Sequence, residues 1–233
     1  LTLVLSGILW LYNEDKYTVF VSIASYQDPL LLRTVEDCIR NSDYPERLRF
    51  GIVLQGTEAE LLSFPEIENA QILRIPAKES KGCCWARSLA QSLFNDETYY
   101  LQIDSHMRFV KSWDSHLVSF IRQLEPKSIL STYLPHFDEL EGELPVAPPT
   151  IIKPWKWSHD VLLLSSNSVV KPSFFSSRGC GSRRAFLGPL LVRPLCVHLG
   201  ELDSGVVPAV FRLQEVPYDP DLYFEGEEIS MSV

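Results

Sequence analysis

The apolar positions in the first half of the chain predict a regular succession of strands and helices. Thr18–Ser25 is an apolar, β-branched run without charges, which is typical of a strand buried on both faces. Apolar residues then recur at helical spacing from Leu31 to Ile39 and predict a helix from about Leu30 to Asn41. Further strands are predicted at Phe50–Leu54, Gln71–Ile75 and Tyr99–Ile103.

Two more helices and a short strand complete this predicted core. Apolar residues repeat every four positions from Trp85 to Leu93 and predict a helix from about Gly82 to Phe94. A later helix, with apolar residues from Trp113 to Leu124, precedes a short strand at Ser128–Thr132. The order β-α-β-β-α-β favours an α/β domain built on a doubly wound, mostly parallel sheet.

The segment from Tyr99 to Arg108 carries the most informative chemistry, because a predicted strand runs directly into an Asp-x-His pair. Residues two apart on an extended backbone point to the same side, so Asp104 and His106 are candidates to bind one metal ion together. The alternative interpretation is that Asp104 caps a turn and His106 lies on the surface. Ligands of doubly wound sheets bind beyond the carboxyl ends of the strands, where residues 26–29 are also expected. The two segments are therefore predicted to converge.

Composition and charge limit the class of protein. A chain of 233 residues with 45% hydrophobic and 11% aromatic residues can form a globular domain with a substantial core. The formal net charge of -9 disfavours nucleic acid as a partner, because binding a phosphate backbone depends on clustered Lys and Arg. The five cysteines include no Cys-x-x-Cys and cannot all pair within the chain, so a reduced compartment is the simpler expectation.

Two regions depart from the regular pattern. Residues 1–12 form an apolar run about half as long as the roughly 20 residues that span a bilayer, so the stub at residues 1–17 is interpreted as an anchor remnant or an extra strand. Residues 138–154 are rich in Pro and Glu and predict a surface excursion. Residues 173–208 show neither period and are predicted to be loop, and their composition suggests substituted or misread coding sequence.

Five segments, in this order, resemble a known enzyme family. They are FVSIASYQDP (20–29), YPERLRFGIVLQ (44–55), GCCWAR (82–87), YYLQIDSHMRF (99–109) and EVPYDPDLYFEGEEIS (215–230). The chain closely resembles the N-acetylglucosaminyltransferases that modify a hydroxyproline on a ubiquitin-ligase adaptor, and their bacterial relatives. More remotely, it is similar to the polypeptide N-acetylgalactosaminyltransferases. The strong resemblance covers about residues 18–135 and 214–233.

The resemblance implies a GT-A fold, the donor UDP-GlcNAc and a divalent cation, with retention of configuration at the anomeric carbon. Residues 18–135 would form the nucleotide-sugar-binding half, and residues 136–233 the acceptor side. Asp104 and His106 would hold Mn²⁺ or, less suitably for a mixed carboxylate and imidazole set, Mg²⁺. Donor-binding residues would be Ser25, Tyr26, Gln27, Asp28, Arg87, Asp104 and Ser105.

Individual residues keep alternative interpretations. Arg87 is expected to reach the diphosphate or to hold Asp104 in a bidentate pair, and is otherwise a solvated helix arginine. Glu227 and Glu228 match the Gly-Glu-Glu motif of the family, where a carboxylate would act in catalysis by orienting the acceptor hydroxyl. Otherwise these acidic residues only favour the dipole of a helix. Residues 26–28 are otherwise a strand-terminating turn.

The favoured function is metal-dependent transfer of GlcNAc to a hydroxyl of a protein or glycan acceptor. Because the chain ends at Val233, directly after the Gly-Glu-Glu motif, the expectation is a C-terminally truncated fold. One alternative is therefore a nucleotide-sugar-binding remnant without turnover. Another is a metallohydrolase in which Asp104 and His106 join one of three further histidines: His116, His136 or His159. The expected location is the cytoplasm, or the Golgi lumen if residues 1–12 are the remnant of a signal anchor that joined the protein to a membrane.

Overall fold

The computed structural model describes residues 17–122, 130–131, 150–158, 161–168, 205–208 and 220–221. Its strands are β1 Val19–Tyr26, β2 Leu48–Gly56, β3 Ala70–Pro76, β4 Tyr99–Ile103, β5 Leu130–Ser131, β6 Thr150–Ser158, β7 Val161–Ser168 and β8 Gly205–Pro208. Its α-helices are α1 Leu31–Asn41, α2 Glu58–Ser63, α3 Cys83–Gln91 and α4 Trp113–Arg122.

The main sheet has the strand order β3-β2-β1-β4-β8-β5. The pairs β3–β2, β2–β1 and β1–β4 are parallel, whereas β8 pairs antiparallel with both β4 and β5. The chain builds outward from β1 to β2 and β3 on one side, and then returns to place β4 on the other side. The position between β1 and β4 is therefore the topological switch point of the sheet. The predicted doubly wound, mostly parallel sheet is confirmed.

Helices cover both faces of the sheet. Side chains of α1 and α4 pack against one face, in a cluster that includes Val35 and Trp113 together with Val21, Ile23 and Leu101. On the opposite face, α3 packs on β1, β2 and β3 through a second cluster: Ala86, Ala90, Val53, Ala24 and Leu73. All five residues of β4 are buried, as are six of the eight in β1, and a seventh is partly buried. A strand covered on both faces explains the run of apolar residues from which β1 was predicted.

One strand of the sheet needs a glycine for close packing. A Cβ atom at Gly51 in β2 would lie only 2.2 Å from the tip of the Phe20 ring. Phe20 is fixed in place because it stacks on Tyr100 and meets Phe94 edge to face. The small residue in β2 therefore makes room for an aromatic cluster on the α3 face.

Two helices differ from the sequence-based expectations. Helix α3 ends at Gln91 rather than near Phe94, because the Ser92 N–H bonds back to both Ser88 and Leu89 in a tightened last turn. Helix α2 was not predicted, since its six residues are too few to show a helical repeat. Its signal is the capping box, in which Thr57 and Glu60 each bond the backbone N–H of the other.

Residues 150–168 and 205–208 contain strands that the apolar pattern did not show. Strands β6 and β7 form a separate antiparallel pair, so the predicted surface excursion at residues 138–154 overlaps the start of β6. The prediction of loop throughout residues 173–208 is wrong at Gly205–Pro208, which forms β8 within the main sheet. The stub at residues 1–16 and the segment from Cys180 to Cys196 lie outside the described residues.

Among the described helices, none combines the length and apolar character needed to cross a membrane. The longest, α1, has 11 residues, well short of the roughly 20 that span a bilayer.

Two facing polar side chains of the sheet are buried without a hydrogen-bond partner in the described part of the chain. Ser22 in β1 and Gln102 in β4 lie opposite each other in register, on the face covered by α3. The Ser22 hydroxyl and both polar atoms of the Gln102 amide are buried without a partner. Leaving such groups unpaired in a core costs about 1–3 kcal/mol each.

Replacing Gln102 should therefore stabilise the protein. We expect Gln102→Met to raise the free energy of unfolding by about 1 kcal/mol, because methionine fills a similar volume without unpaired polar atoms. Urea denaturation followed by circular dichroism measures the change. Gln71→Met, at an exposed position of β3, is the matched control and should stay within about 0.5 kcal/mol. A loss of stability in Gln102→Met would contradict this account of the Gln102 amide.

Candidate functional site

The candidate site lies beyond the carboxyl ends of β1 and β4, the two neighbouring strands at the switch point. Asp28 follows β1 and Ser105 follows β4, and the Ser105 hydroxyl donates to Asp28 Oδ2 at 2.6 Å. His106 Nδ1 lies 2.7 Å from the same oxygen. The Leu30 N–H donates to the other oxygen, Oδ1, at 2.8 Å. The two segments that the sequence predicted to converge thus meet at one carboxylate.

Asp28 is held in its ionised form by these hydrogen bonds. Burial alone would raise its pKa, but the bonds from His106, Ser105 and the Leu30 N–H outweigh burial and lower the pKa from 3.8 to about 2. A depressed carboxyl pKa stabilises the folded state fully above about pH 4, and this contribution is lost as pH falls through about 2. Asp28 therefore presents a full negative charge to the imidazole of His106 at neutral pH.

Arg87 reaches the site from the opposite face of the sheet. Gly82 has a φ of 108°, a conformation that glycine adopts readily, and it directs the chain into α3. Arg87, one turn into α3, places Nη2 2.9 Å from Asp104 Oδ1. The Arg87 side chain is only 4% exposed and that of Asp104 17% exposed. The interpretation of Arg87 as a solvated helix arginine is therefore wrong, and the pair is a charge-assisted bond largely shielded from solvent.

Helix α1 holds the backbone that follows β4. The Thr34 hydroxyl is fully buried, donates to the Ser105 carbonyl at 2.7 Å and accepts from the Met107 N–H at 2.8 Å. One turn further along α1, Asp37 Oδ2 accepts the Phe109 N–H at 2.7 Å. We call residues 105–113 the bridging segment, because it runs along α1 from the site towards α4. Its end is fixed where Trp113 Nε1 donates to a carbonyl of α1 at 2.9 Å.

The end of β1 forms a turn with contrasting side chains. Ser25 is buried, whereas Tyr26 is 54% exposed and extends the site surface towards solvent. Gln27 has a positive φ of 46°, and its N–H donates to the Gln55 carbonyl at 2.8 Å. The backbone of residues 26–28 thus forms a turn, as the alternative interpretation predicted. Their side chains border the crevice beyond the carboxyl ends of β1 and β4.

Gln55 is a site residue that the sequence reasoning missed. It lies near the end of β2, almost fully buried, and its Nε2 donates to the Ser25 carbonyl at 3.1 Å. Its Oε1 has no partner among the described residues. The available signal was a polar residue at the end of an apolar strand, which a parallel sheet places beside the end of β1.

Asp104 and His106 supply a donor set that suits a metal ion in part. A carboxylate and an imidazole together favour Mn²⁺ over Mg²⁺, which prefers oxygen ligands. However, β4 ends at Ile103 and the chain bends at Ser105 and His106, so the extended-backbone argument for a shared face does not hold. No group of three His, Cys, Asp or Glu side chains is arranged around an ion within the described ranges. The donor atoms of this pair suit such a cation chemically, but the pair alone does not make up a coordination shell.

The remaining predicted residues do not add to the described site. Glu227 and Glu228 lie outside the described residues, as do His136 and His159. His116 lies on α4, near Asp43 at the far end of α1 from the site. The structure therefore does not bring His116 to Asp104, as the metallohydrolase interpretation would require.

A sequence comparison supports a specific family. The profile of the family described as Glycosyltransferase (GlcNAc) matches residues 18–68 and 62–153, which together make up more than half of the chain. A search of curated protein sequences finds no match.

Two solved structures share the fold. The crystal structure of S. aureus TarS 1–349 has a TM-score of 0.51 and 10% identity, and the match covers 91% of this chain and 52% of that one. GalNAc-T7 with UDP, GalNAc and Mn²⁺ has a TM-score of 0.55 and 15% identity, and the match covers 92% of this chain and 39% of that one. The chain thus spans about half or less of the length of these neighbours. At such identities the likeness concerns the fold alone, which is the GT-A fold.

The hydroxyl of Thr34 should be needed to order the backbone that carries Ser105 and His106. Thr34→Val keeps the β-branched shape but leaves the Ser105 carbonyl and the Met107 N–H without this partner. We expect the free energy of unfolding to fall by about 2 kcal/mol. We also expect the Met107 amide hydrogen to exchange with solvent faster than in the parent protein. Thr34→Ser, which retains the hydroxyl, should keep the Met107 amide protected. Equal protection in Thr34→Val and the parent protein would contradict this role.

Proposed function

The chain belongs to the GlcNAc glycosyltransferase family, and from this premise we propose that it transfers GlcNAc from UDP-GlcNAc to a hydroxyl group of a protein or glycan. The observation that carries the proposal is the convergence of Asp28, Arg87, Asp104, Ser105 and His106 at the switch point of the sheet. Ligands of doubly wound sheets bind at this place.

The charges of the site suit a nucleotide diphosphate bound with a cation. A divalent cation held by Asp104 and His106 would neutralise the charge that develops on the departing UDP. Arg87 holds Asp104 from a buried position and fixes the orientation of its carboxylate. That GalNAc-T7, which shares this fold, was solved with UDP, GalNAc and Mn²⁺ supports a donor and a cation of this kind.

Donor recognition is proposed for the residues that border the crevice. Tyr26 is the exposed aromatic residue at the end of β1, and its ring can stack on a flat base. Gln27 and Ser25 belong to the same turn, and we propose that they line the nucleotide site. Retention at the anomeric carbon, and a role for Glu227 or Glu228 in orienting the acceptor, remain parts of the proposal that rest on the family resemblance.

The acceptor and the location are proposed from the sequence. The resemblance to the enzymes that modify hydroxyproline favours a hydroxyl on a protein, with a glycan hydroxyl as the other candidate. The odd number of cysteines and the lack of Cys-x-x-Cys favour a cytoplasmic location over the Golgi lumen.

Calorimetric titration of UDP-GlcNAc and of UDP, with and without Mn²⁺, tests the donor site. We expect binding that depends on Mn²⁺, and a loss of affinity of about 10-fold or more in His106→Ala and in Asp104→Asn. Asp104→Asn leaves Arg87 buried without its anionic partner, so thermal melting must show that each variant is folded.

Asp43→Asn is the matched control for these variants. Asp43 is an exposed carboxylate that accepts bonds from Ser112 and Ser115 at the opposite end of α1, so its replacement should leave binding unchanged. No binding by the parent protein under any condition would overturn the proposal. Mn²⁺-dependent binding without hydrolysis or transfer of GlcNAc would instead favour a nucleotide-sugar-binding protein without turnover.

A further inference from the structure

The hydrogen bonds of His106 define which of its ring nitrogens can bind a metal. Nδ1 lies 2.7 Å from Asp28 Oδ2, within hydrogen-bond distance of a carboxylate that has no proton to donate. The proton of this bond must therefore lie on Nδ1, and in the neutral ring the lone pair must lie on Nε2. A metal binds histidine only through such a lone pair.

We propose that Asp28 is a positioning residue for the cation, which holds His106 in the tautomer that binds metal through Nε2. The inference rests on the proposed function and gives Asp28 a role distinct from contact with the donor nucleotide. A carboxylate behind a metal-binding histidine fixes the ring orientation and makes the other nitrogen a stronger ligand.

The setting of Asp28 suits this role because the carboxylate is itself fixed. Both of its oxygens are used, Oδ1 by the Leu30 N–H and Oδ2 by the Ser105 hydroxyl together with His106. Its side chain is 15% exposed, whereas that of His106 is 45% exposed. The less exposed member of the pair is thus the anion, and the more exposed member is the ring that would meet the cation.

The two candidate metal ligands are held in complementary ways. Asp104 is paired with a cation, Arg87 of α3, and His106 is paired with an anion, Asp28 after β1. The two partners come from different elements: Arg87 lies on α3, and Asp28 lies in the turn after β1. Two separate oppositely charged partners fix the two ligands independently, so losing one pair should leave the other in place.

The tautomer of His106 in the metal-free protein is the first test. Nitrogen-15 NMR at alkaline pH, where the ring is neutral, should show the proton on Nδ1 in the parent protein. In Asp28→Ala, the proton should move largely to Nε2, the form that unconstrained histidine favours. Ser105→Ala removes another bond to the same carboxylate oxygen and should leave the proton on Nδ1. A proton on Nε2 in the parent protein would overturn the inference, even if no variant folds.

Mn²⁺ titration in the presence of UDP is the second test. Asp28→Ala should weaken Mn²⁺ binding by about 10- to 100-fold, whereas Asp43→Asn should bind as the parent protein does. If the parent protein binds Mn²⁺ with UDP and Asp28→Ala binds equally well, the positioning role is overturned while the proposed function stands. If the parent protein binds no Mn²⁺ with UDP, the proposed function itself fails.

Discussion

The candidate site depends on one constraint, which is that the backbone leaving β4 must satisfy its buried polar groups after the pairing of β4 with β1 has ended at Ile103. Helix α1 meets this need with two polar side chains on its buried face, Thr34 and Asp37, one turn apart. They bond the chain at Ser105, Met107 and Phe109 and so fix the path of the bridging segment. Because α1 begins at Leu31, three residues after Asp28, the same helix helps to set the distance between the ends of β1 and β4. The site geometry is thus a consequence of how one helix packs.

Charge at the site is compensated locally rather than by solvent. Buried ions destabilise a fold unless they are paired and hydrogen-bonded, and each charged group here has a defined partner. Such pairs contribute little net stability compared with an apolar core, but they keep side chains in one orientation. The proposed binding of a diphosphate and a cation would gain from this, because the polar groups of the site are already ordered before any ligand arrives. The doubly wound topology allows it, since neighbouring strands deliver residues that lie far apart in sequence.

The central sheet was predictable because its strands and helices carry strong apolar patterns. Burial on both faces explains β1, and the helical repeat of apolar residues on one face explains α1. The pattern fails for α2, which is too short for a repeat, and for β8, whose strand character depends on pairing with β4. Within the site, the sequence predicted that Asp28 and His106 would lie at the same edge of the sheet. It did not predict the hydrogen bond between them, which joins residues 78 positions apart. Side-chain pairing over such distances depends on three-dimensional packing, which no local period contains.

The pairing of β4 has a consequence for how the chain folds as it is synthesised. β1, β2, β3 and β4 are all complete in the first half of the chain, yet the strand that covers the outer edge of β4 comes only at Gly205–Pro208. Until then, the N–H and C=O groups along that edge lack their final partner, and open strand edges readily pair with other chains. Contacts between residues this far apart also form slowly. The strand that leads into the candidate site therefore remains open to aggregation until Gly205–Pro208 has been synthesised.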